Sequence, residues 1–424
     1  MAKVIRRQWQ AELGSGLPRK DRRSCEYEAY VPDPLVSRPL TLDGDVAADV
    51  ADAERAITAL DVAGSVLVDT EALARLLLRA ESVASSKIEG LEIGGRRLLR
   101  AEAARDLGEE PSDVTAAEVL GNIDAMAWAI QSVEESLGTI TLDHLLEVHR
   151  RLLAGTRLAV HAGEIRTEQN WIGGSDYNPC SAAFVPPPPE MVPALLNDLI
   201  TFCNDDSLPA VAQAALAHAQ LETIHPFVDG NGRTGRALIH LVLHRRGLAR
   251  RVIIPVSLIL ATWSQSYVEG LTGTRYRGPA TSKAAHEGSN RWIALFAAAC
   301  RRAAADATAF EQRTLEIETA WRERLGSVRA NSSVDLLLRA LPGAPIITVN
   351  GAAKLLGRSF VATNHAIDRL VDSDILQQVT LDRRNRAFET PDIIQAFADL
   401  ERQLASPGGD TLVSPPTRTV PRRR

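Results

Sequence analysis

Twelve consecutive residues, His225 to Arg236 in the run HPFVDGNGRTGR, bring together a base, a carboxylate, an amide, two guanidinium groups and three glycines. These are the parts needed to hold a nucleotide phosphate and to move a proton beside it. Gly230, Gly232 and Gly235 allow positive φ and let a ligand come close to the backbone. The Gly230-Asn231-Gly232 turn feeds an apolar, helix-period stretch over 237–243. A turn that opens a helix leaves N–H groups pointing outward and so makes a nest for an anion. Arg233 and Arg236 stand three apart, on one face of that helix, where both reach the same anion. Guanidinium groups grip phosphate oxygens as a planar fork. Asp229 lies at the mouth of the nest. Beside phosphates its charge calls for an intervening Mg2+, which takes one or two carboxylates plus phosphate oxygens. His225 ends the preceding helical segment and is the side chain suited to accept a proton near neutral pH. A solvated Gly-rich surface turn would require none of these identities in this order.

The elements that must position these residues read as mostly helical. Apolar periodicity predicts helices over 49–63, 70–89, 116–137, 142–153, 191–204, 209–224, on through 246, then 256–271 and 290–325, with a threonine N-cap before 142. Residues 166–185 lack that period and carry Trp171, Gly173, Gly174 and Pro179, which predicts a hairpin-like flap. The prolines at 186–189 end it, since they cannot continue as helix. Residues 1–30 are polar and read as an irregular arm.

Residues 331–404 read as a separate module. The stretch 349–357 predicts a helix closed by a glycine turn, Ser359 caps a second helix over 361–372, and a basic turn between strands covers 380–388. This order is that of a winged helix-turn-helix. DNA contact would use Arg358, Asn364, His365 and Arg369 in the groove and Arg383, Arg384 and Arg386 on the wing. Asp368 and Asp372 on the same helix oppose a phosphate backbone, so protein contact or dimerisation stands beside it. The fold class is therefore mainly α, a helical bundle with a small β-hairpin flap and a C-terminal winged module. The divisions run 1–30, an arm; 31–110, an N-terminal helical region; 111–300, the core; 301–330, a connecting helix; 331–404, the winged module; and 405–424, a Pro-, Gly-, Thr- and Arg-rich tail read as disordered.

Composition narrows the function classes. The chain has 424 residues, 45% hydrophobic and 24% charged, in the range of globular proteins. A net charge of −5 gives no global basic footprint for nucleic acid. Cys25, Cys180, Cys203 and Cys300 form no CxxC pair, which argues against zinc and predicts reduced thiols. His149, His161, His218 and His240 are scattered and predict packing or hydrogen-bonding roles, not a metal cluster. The first residues hold no apolar core of a signal peptide, and no run has the length of a membrane helix, which predicts a cytoplasmic protein with no membrane contact.

The run at 225–236 resembles the signature of the Fic family, HxFx(D/E)GNGRxxR, matching at His225, Phe227, Asp229, Gly230, Asn231, Gly232, Arg233 and Arg236. The surroundings are similar too. ALAHAQ at 215–220 precedes the signature, although Leu221 stands where Phe is more usual. GEIR at 163–166 and WIGG at 171–174 look like the lead-in to the family's flap, and FVPPP at 184–188 like its exit. IPVS at 254–257 and Tyr267 resemble the region after the core helix. The resemblance spans roughly residues 30–300. Upstream, Ser85, Glu89 and Gly90 in SSKIEG match the family's inhibitory motif, (S/T)xxxE(G/N). On its own that pattern also describes a helix end, with a solvated Glu89 and a terminating Gly90.

The resemblance implies a helical bundle that binds ATP with Mg2+ and transfers AMP to a Tyr, Thr or Ser hydroxyl of a target protein held by the flap at 171–185. It implies His225 as base and Asp229 as Mg2+ holder. Gly230, Asn231 and Gly232 would lie on the α-phosphate, Arg233 on the β-phosphate and Arg236 on the γ-phosphate. Tyr267 would join the nucleotide site, and Glu89 would compete for Arg236. Two other activities share the same residues: removal of AMP with Glu89 orienting water, and nucleotide sensing coupled to a DNA-binding module.

Overall fold

The computed structural model describes residues 1–11, 21–63, 70–106, 108, 113–136, 138–380 and 386–404. Two strands, β1 (Lys3–Trp9) and β2 (Cys25–Val31), pair antiparallel, with Lys3 opposite Val31 and Trp9 opposite Cys25. Helices follow: α1 (Gly44–Ala63), α2 (Thr70–Ile88), α3 (Gly95–Asp106), α4 (Val114–Glu135), α5 (Leu142–Leu153), α6 (Val192–Cys203), α7 (Ala210–Ile224), α8 (Asn231–Arg245), α9 (Val256–Thr262), α10 (Ser264–Gly273) and α11 (Lys283–Leu325). The remaining elements are α12 (Ser333–Ala340), β3 (Ile346–Ile347), α13 (Val349–Leu356), α14 (Phe360–Asp372), β4 (Gln377–Thr380), β5 (Arg386–Glu389) and α15 (Pro391–Leu404). Their strands form an antiparallel sheet in the order β3-β5-β4. Among the described residues no helix is long and apolar enough to cross a membrane.

The mainly helical architecture agrees with the periodicity of the sequence, and three local expectations are corrected. The arm is not irregular: Cys25, Tyr27 and Ala29 alternate with Glu26 and Glu28 along β2, a period of two that suits a half-buried strand. α3 is a helix that periodicity did not predict, because its arginines mask the apolar stripe of Leu98, Leu99 and Ala103. Those arginines are used in ion pairs, Arg96 with Glu389, Arg97 with Asp113 and Arg105 with Asp124. The helix expected over 256–271 breaks at Trp263 into α9 and α10. The tip of the expected wing, with Arg383 and Arg384, and the tail at 405–424 lie outside the described residues.

The described residues form two compact units. One comprises Met1–Glu54, Ala125–Gly247 and Gln265–Ala298. At its centre α7 is buried along its whole length, and its alanines allow close approach of α6 and α8. Trp292 of α11 is fully buried and donates its indole N–H to the Ala215 carbonyl at 2.7 Å, tying α11 to α7. Cys25 of β2 is disulfide-bonded to Cys180, with Cα atoms 5.7 Å apart across 155 residues of sequence. The expectation of four reduced thiols therefore holds only for the buried Cys203 and Cys300. The pairing was hidden because β2 and the flap meet only in the folded chain.

The other unit comprises Arg55–Asp124, Leu248–Ser264 and the described residues from Ala299 onward. These units do not follow the linear divisions read from the sequence, because the contacts that make them are non-local. Here α2 packs on α9, and the buried Glu81 accepts from the Ser257 backbone N–H at 2.8 Å and from its hydroxyl. α13 is capped by Thr348 and closed by Gly357 at φ 60°, and α14 is capped by Ser359. Arg358 donates to the Asn331 carbonyl, and Arg369 to the carbonyls of Leu325 and Ser327.

Candidate active site

The signature run joins two helices of the first unit. α7 ends at His225, which takes the left-handed conformation (φ 50°, ψ 60°) while its N–H still donates to the Leu221 carbonyl at 2.8 Å. This turns the histidine out of the helix at the start of the loop. The loop is closed by Asn231, whose side chain accepts from the Phe227 N–H at 2.8 Å and donates to the Phe227 carbonyl at 2.9 Å. Asn231 is thereby used on the loop itself and gives the nest its shape. Phe227 is fully buried and pins the loop to the core, while Val228 and Asp229 face outward.

α8 starts directly after Gly230, which sits at φ 74°. A Cβ there would also lie 2.9 Å from Leu152 Cδ2, so both backbone and space require glycine. Gly235 packs closely: a Cβ there would lie 3.0 Å from His218 Nδ1 and 3.2 Å from Glu222 Oε1, tighter than ordinary contact. Arg233 and Arg236 lie in the first turns of α8 and are buried, at 4% and 1% exposure. Guanidinium groups at a helix N-terminus are suited to meet an anion there. Asp229 is half exposed at the mouth, its carboxylate 3.5 Å from Arg233 Nη2.

Other elements hold this loop from behind. Arg166 is almost fully buried; its Nε donates to the His225 carbonyl at 2.8 Å, its Nη2 to the carbonyls of Pro187 and Ile224, and its backbone N–H to the Pro226 carbonyl at 2.9 Å. Burial lowers its guanidinium to about 10. Asn170 donates to the carbonyls of both His225 and Phe227. His149 of α5 stacks on Phe227 with ring centroids 3.9 Å apart, and burial lowers its pKa to about 4, so it is neutral at neutral pH. His218 of α7 shares a 2.8 Å hydrogen bond with the Tyr267 hydroxyl. Burial, and then the charge of Arg236, lower its pKa to about 3.

The structure thus brings His225, Asp229, Gly230, Asn231, Gly232, Arg233 and Arg236 into one loop and helix start. Tyr267, on α10, is buried against His218 and Trp292 behind that helix. Ser85, Glu89 and Gly90 belong to the other unit. Ser85 is buried near the end of α2, and Glu89 follows in a turn that Gly90 closes at φ 82°. The flap exists as a hairpin-like excursion, with Ile172 bridged to Phe184 and Ser175 to Asn178. β1, β2 and Asp21 adjoin it: Tyr30 of β2 donates its N–H to the Val185 carbonyl, Asn178 donates to the Asp21 carbonyl, and Trp9 of β1 meets Trp171 edge to face.

Sequence reasoning did not assign the clamps Arg166, Asn170 and His149. The available signal was a polar residue on a buried face, as with His149 among Leu145, Val148 and Leu152. Among the described residues no group of three His, Cys, Asp or Glu side chains could hold a metal. Asp229 offers one outward carboxylate, which fits a hard cation that brings phosphate oxygens and waters of its own.

Residues 139–243 match the model of the Fic/DOC family, and residues 47–131 match that of the Fic/DOC family N-terminal region. Over 139 residues the chain is 38% identical to protein adenylyltransferase fic-1 of Caenorhabditis elegans, covering 32% of this chain and 25% of that protein. Over 141 residues it is 41% identical to protein adenylyltransferase Fic of Drosophila virilis, covering 32% and 27%. The matched part thus spans about a quarter of the length of these relatives. A crystal structure of a Fic family protein from Desulfovibrio desulfuricans G20 shares the fold, with a TM-score of 0.52 at 19% identity over 84% of this chain and 98% of that one. The signature loop lies inside the first matched stretch and α2 inside the second, so both stretches of this chain are similar to the Fic/DOC family.

Proposed function

We propose that this chain is a protein adenylyltransferase that moves AMP from ATP to a Tyr, Thr or Ser hydroxyl of a target protein. The observation that carries the reading is the left-handed His225 turned out beside a helix start that holds two buried arginines. In this reading ATP lies with its phosphates over the start of α8. The amides near Gly230 and Gly232 receive the α-phosphate, Arg233 the β-phosphate and Arg236 the γ-phosphate. His225 takes the proton of the target hydroxyl, whose oxygen forms a bond to the α-phosphorus as the bond to pyrophosphate breaks. Asp229 would hold Mg2+, which when bound neutralises phosphate charge. Positioning and charge neutralisation account for most of the rate in transfers of this kind. Tyr267 supports the nucleotide side of the site through His218, and the flap at 171–185 holds the target segment by strand addition.

The inhibitory motif supports a second part of the same proposal. Glu89 competes with the γ-phosphate for Arg236, so that ATP meets the site in an unproductive pose until Glu89 is withdrawn. Competition for one cation shifts the population by the difference in affinity of the two states. The test is incubation of the wild type and Glu89→Gly with α-labelled ATP and Mg2+. Labelled protein is expected, more strongly from Glu89→Gly. No label from either, with nucleotide binding intact, would overturn transfer. Loss of AMP release from pre-modified protein in Glu89→Gly, with no gain of transfer, would assign Glu89 to hydrolysis instead.

A further inference from the structure

We propose that His149, with its proton on Nε2, is a positioning residue that sets the Asp229–Gly230 peptide, and through it the direction of the Asp229 carboxylate. The inference rests on the adenylyltransferase reading for what Asp229 holds, but its geometry stands apart from that reading. His149 Nδ1 lies 2.9 Å from the backbone nitrogen of Gly163, and an amide N–H can only donate. Nδ1 must therefore be the acceptor. Nε2 lies 3.0 Å from the carbonyl oxygen of Asp229, which can only accept, so Nε2 must carry the hydrogen. The two contacts together allow a single neutral tautomer. The ring stacks on Phe227 with an interplanar angle of 11°, which fixes its plane as well.

This placement makes His149 a tie between two segments that the chemistry needs in register. Gly163 begins the lead-in whose Arg166 holds the carbonyls of His225 and Pro226. Asp229 is the last side chain before the nest. The loop is thus held at 225 and 226 from Arg166, at 227 from Asn170 and Asn231, and at 229 from α5 through His149. The Asp229 side chain itself is half exposed, so packing does little to orient it. Beyond the 3.5 Å contact with Arg233, its direction follows from its backbone, and His149 bonds that backbone.

The experiment compares His149→Phe and His149→Gln in the Glu89→Gly background. Phe keeps an aromatic ring on Phe227 and removes both hydrogen bonds. Gln has one acceptor and one donor and can restore them. Transfer rate is titrated against Mg2+ and against ATP, binding of ATP is measured by calorimetry with and without Mg2+, and melting is followed in parallel. For His149→Phe the Mg2+ concentration giving half-maximal rate is expected to rise about tenfold, the size expected when a buried hydrogen-bond partner is lost. ATP binding without Mg2+ should stay within about twofold, and His149→Gln should recover most of the Mg2+ response. Equal loss at all Mg2+ concentrations, or a Gln variant no better than Phe, would assign His149 to packing alone and overturn the proposal. A parent protein that binds ATP with Mg2+ but transfers nothing overturns the adenylyltransferase reading, while the binding arm still decides the role of His149. A parent that shows no Mg2+-dependent binding overturns both.

Discussion

At the scale of single residues, His225 combines a chemical role with an uncomfortable backbone. A left-handed, non-glycine residue costs roughly 1–2 kcal/mol, and here the clamps Arg166 and Asn170 hold its carbonyl in place. His225→Ala should lose AMP transfer by about 100- to 10,000-fold, the range for loss of a general base. Its circular dichroism and melting should stay near the parent's. His225→Gly should be equally inactive yet melt higher than His225→Ala, because glycine adopts this backbone without the Cβ penalty. Melting curves of the two variants check this, and an alanine variant as stable as the glycine one would show that φ is not under strain. Much of this was legible from the sequence, since the identities and spacing of His225, Asp229, Arg233 and Arg236 state their own chemistry. The backbone that presents His225 was not legible. It depends on Arg166 and Asn170, dozens of residues away, and a lone arginine or asparagine in a loop gives no sign of the carbonyl it will hold.

At the scale of elements, α2, α14 and α15 each carry a distinct expectation. Removing the carboxylate just after α2, in Glu89→Gly, should raise self-labelling tenfold or more, as a charge-assisted arginine–carboxylate contact contributes about 1.5–3 kcal/mol. Arg236→Ala added to it should abolish the gain, since the competing γ-phosphate needs the same cation. Of the arginines expected to face DNA, Arg358 before α14 and Arg369 on it are used on backbone carbonyls, while Phe360 and Val361 at the start of α14 are exposed. Anisotropy titration with duplexes at low salt should therefore show little binding. Affinity that falls steeply with salt and weakens in Arg386→Ala would restore the DNA reading. On α15, burial raises the Glu401 carboxyl from 4.5 to about 7. A folded pKa above the unfolded one means that the stability is fully present below about pH 4.5 and is lost as pH rises through about 7. Glu401→Gln should flatten the melting temperature over that window. The caps Ser359 and Gly357 were readable because they are local, with partners within four residues. The β1–β2 pair and α3 were not, because strand pairing and ion pairs to carboxylates outside the helix overrode weak local signals.

At the scale of the whole molecule, the chain passes between its two compact units inside α1, α4, α10 and α11 and once more just after α8, so neither unit is a contiguous stretch of sequence. No linear reading of domain boundaries could find that division. The disulfide between β2 and the flap lies within one unit, yet the ring it closes contains residues 55–124 of the other. A ring has a property that a linear chain lacks: it survives one cut. Any single proteolytic nick between residues 26 and 179 leaves both pieces joined by the Cys25–Cys180 bond. Protein nicked once in that stretch should run as one band near 45.9 kDa without reductant and separate into two fragments with it. Cys180→Ser should separate in both gels. A nicked wild type that falls apart without reductant would show that the bond is not formed in solution.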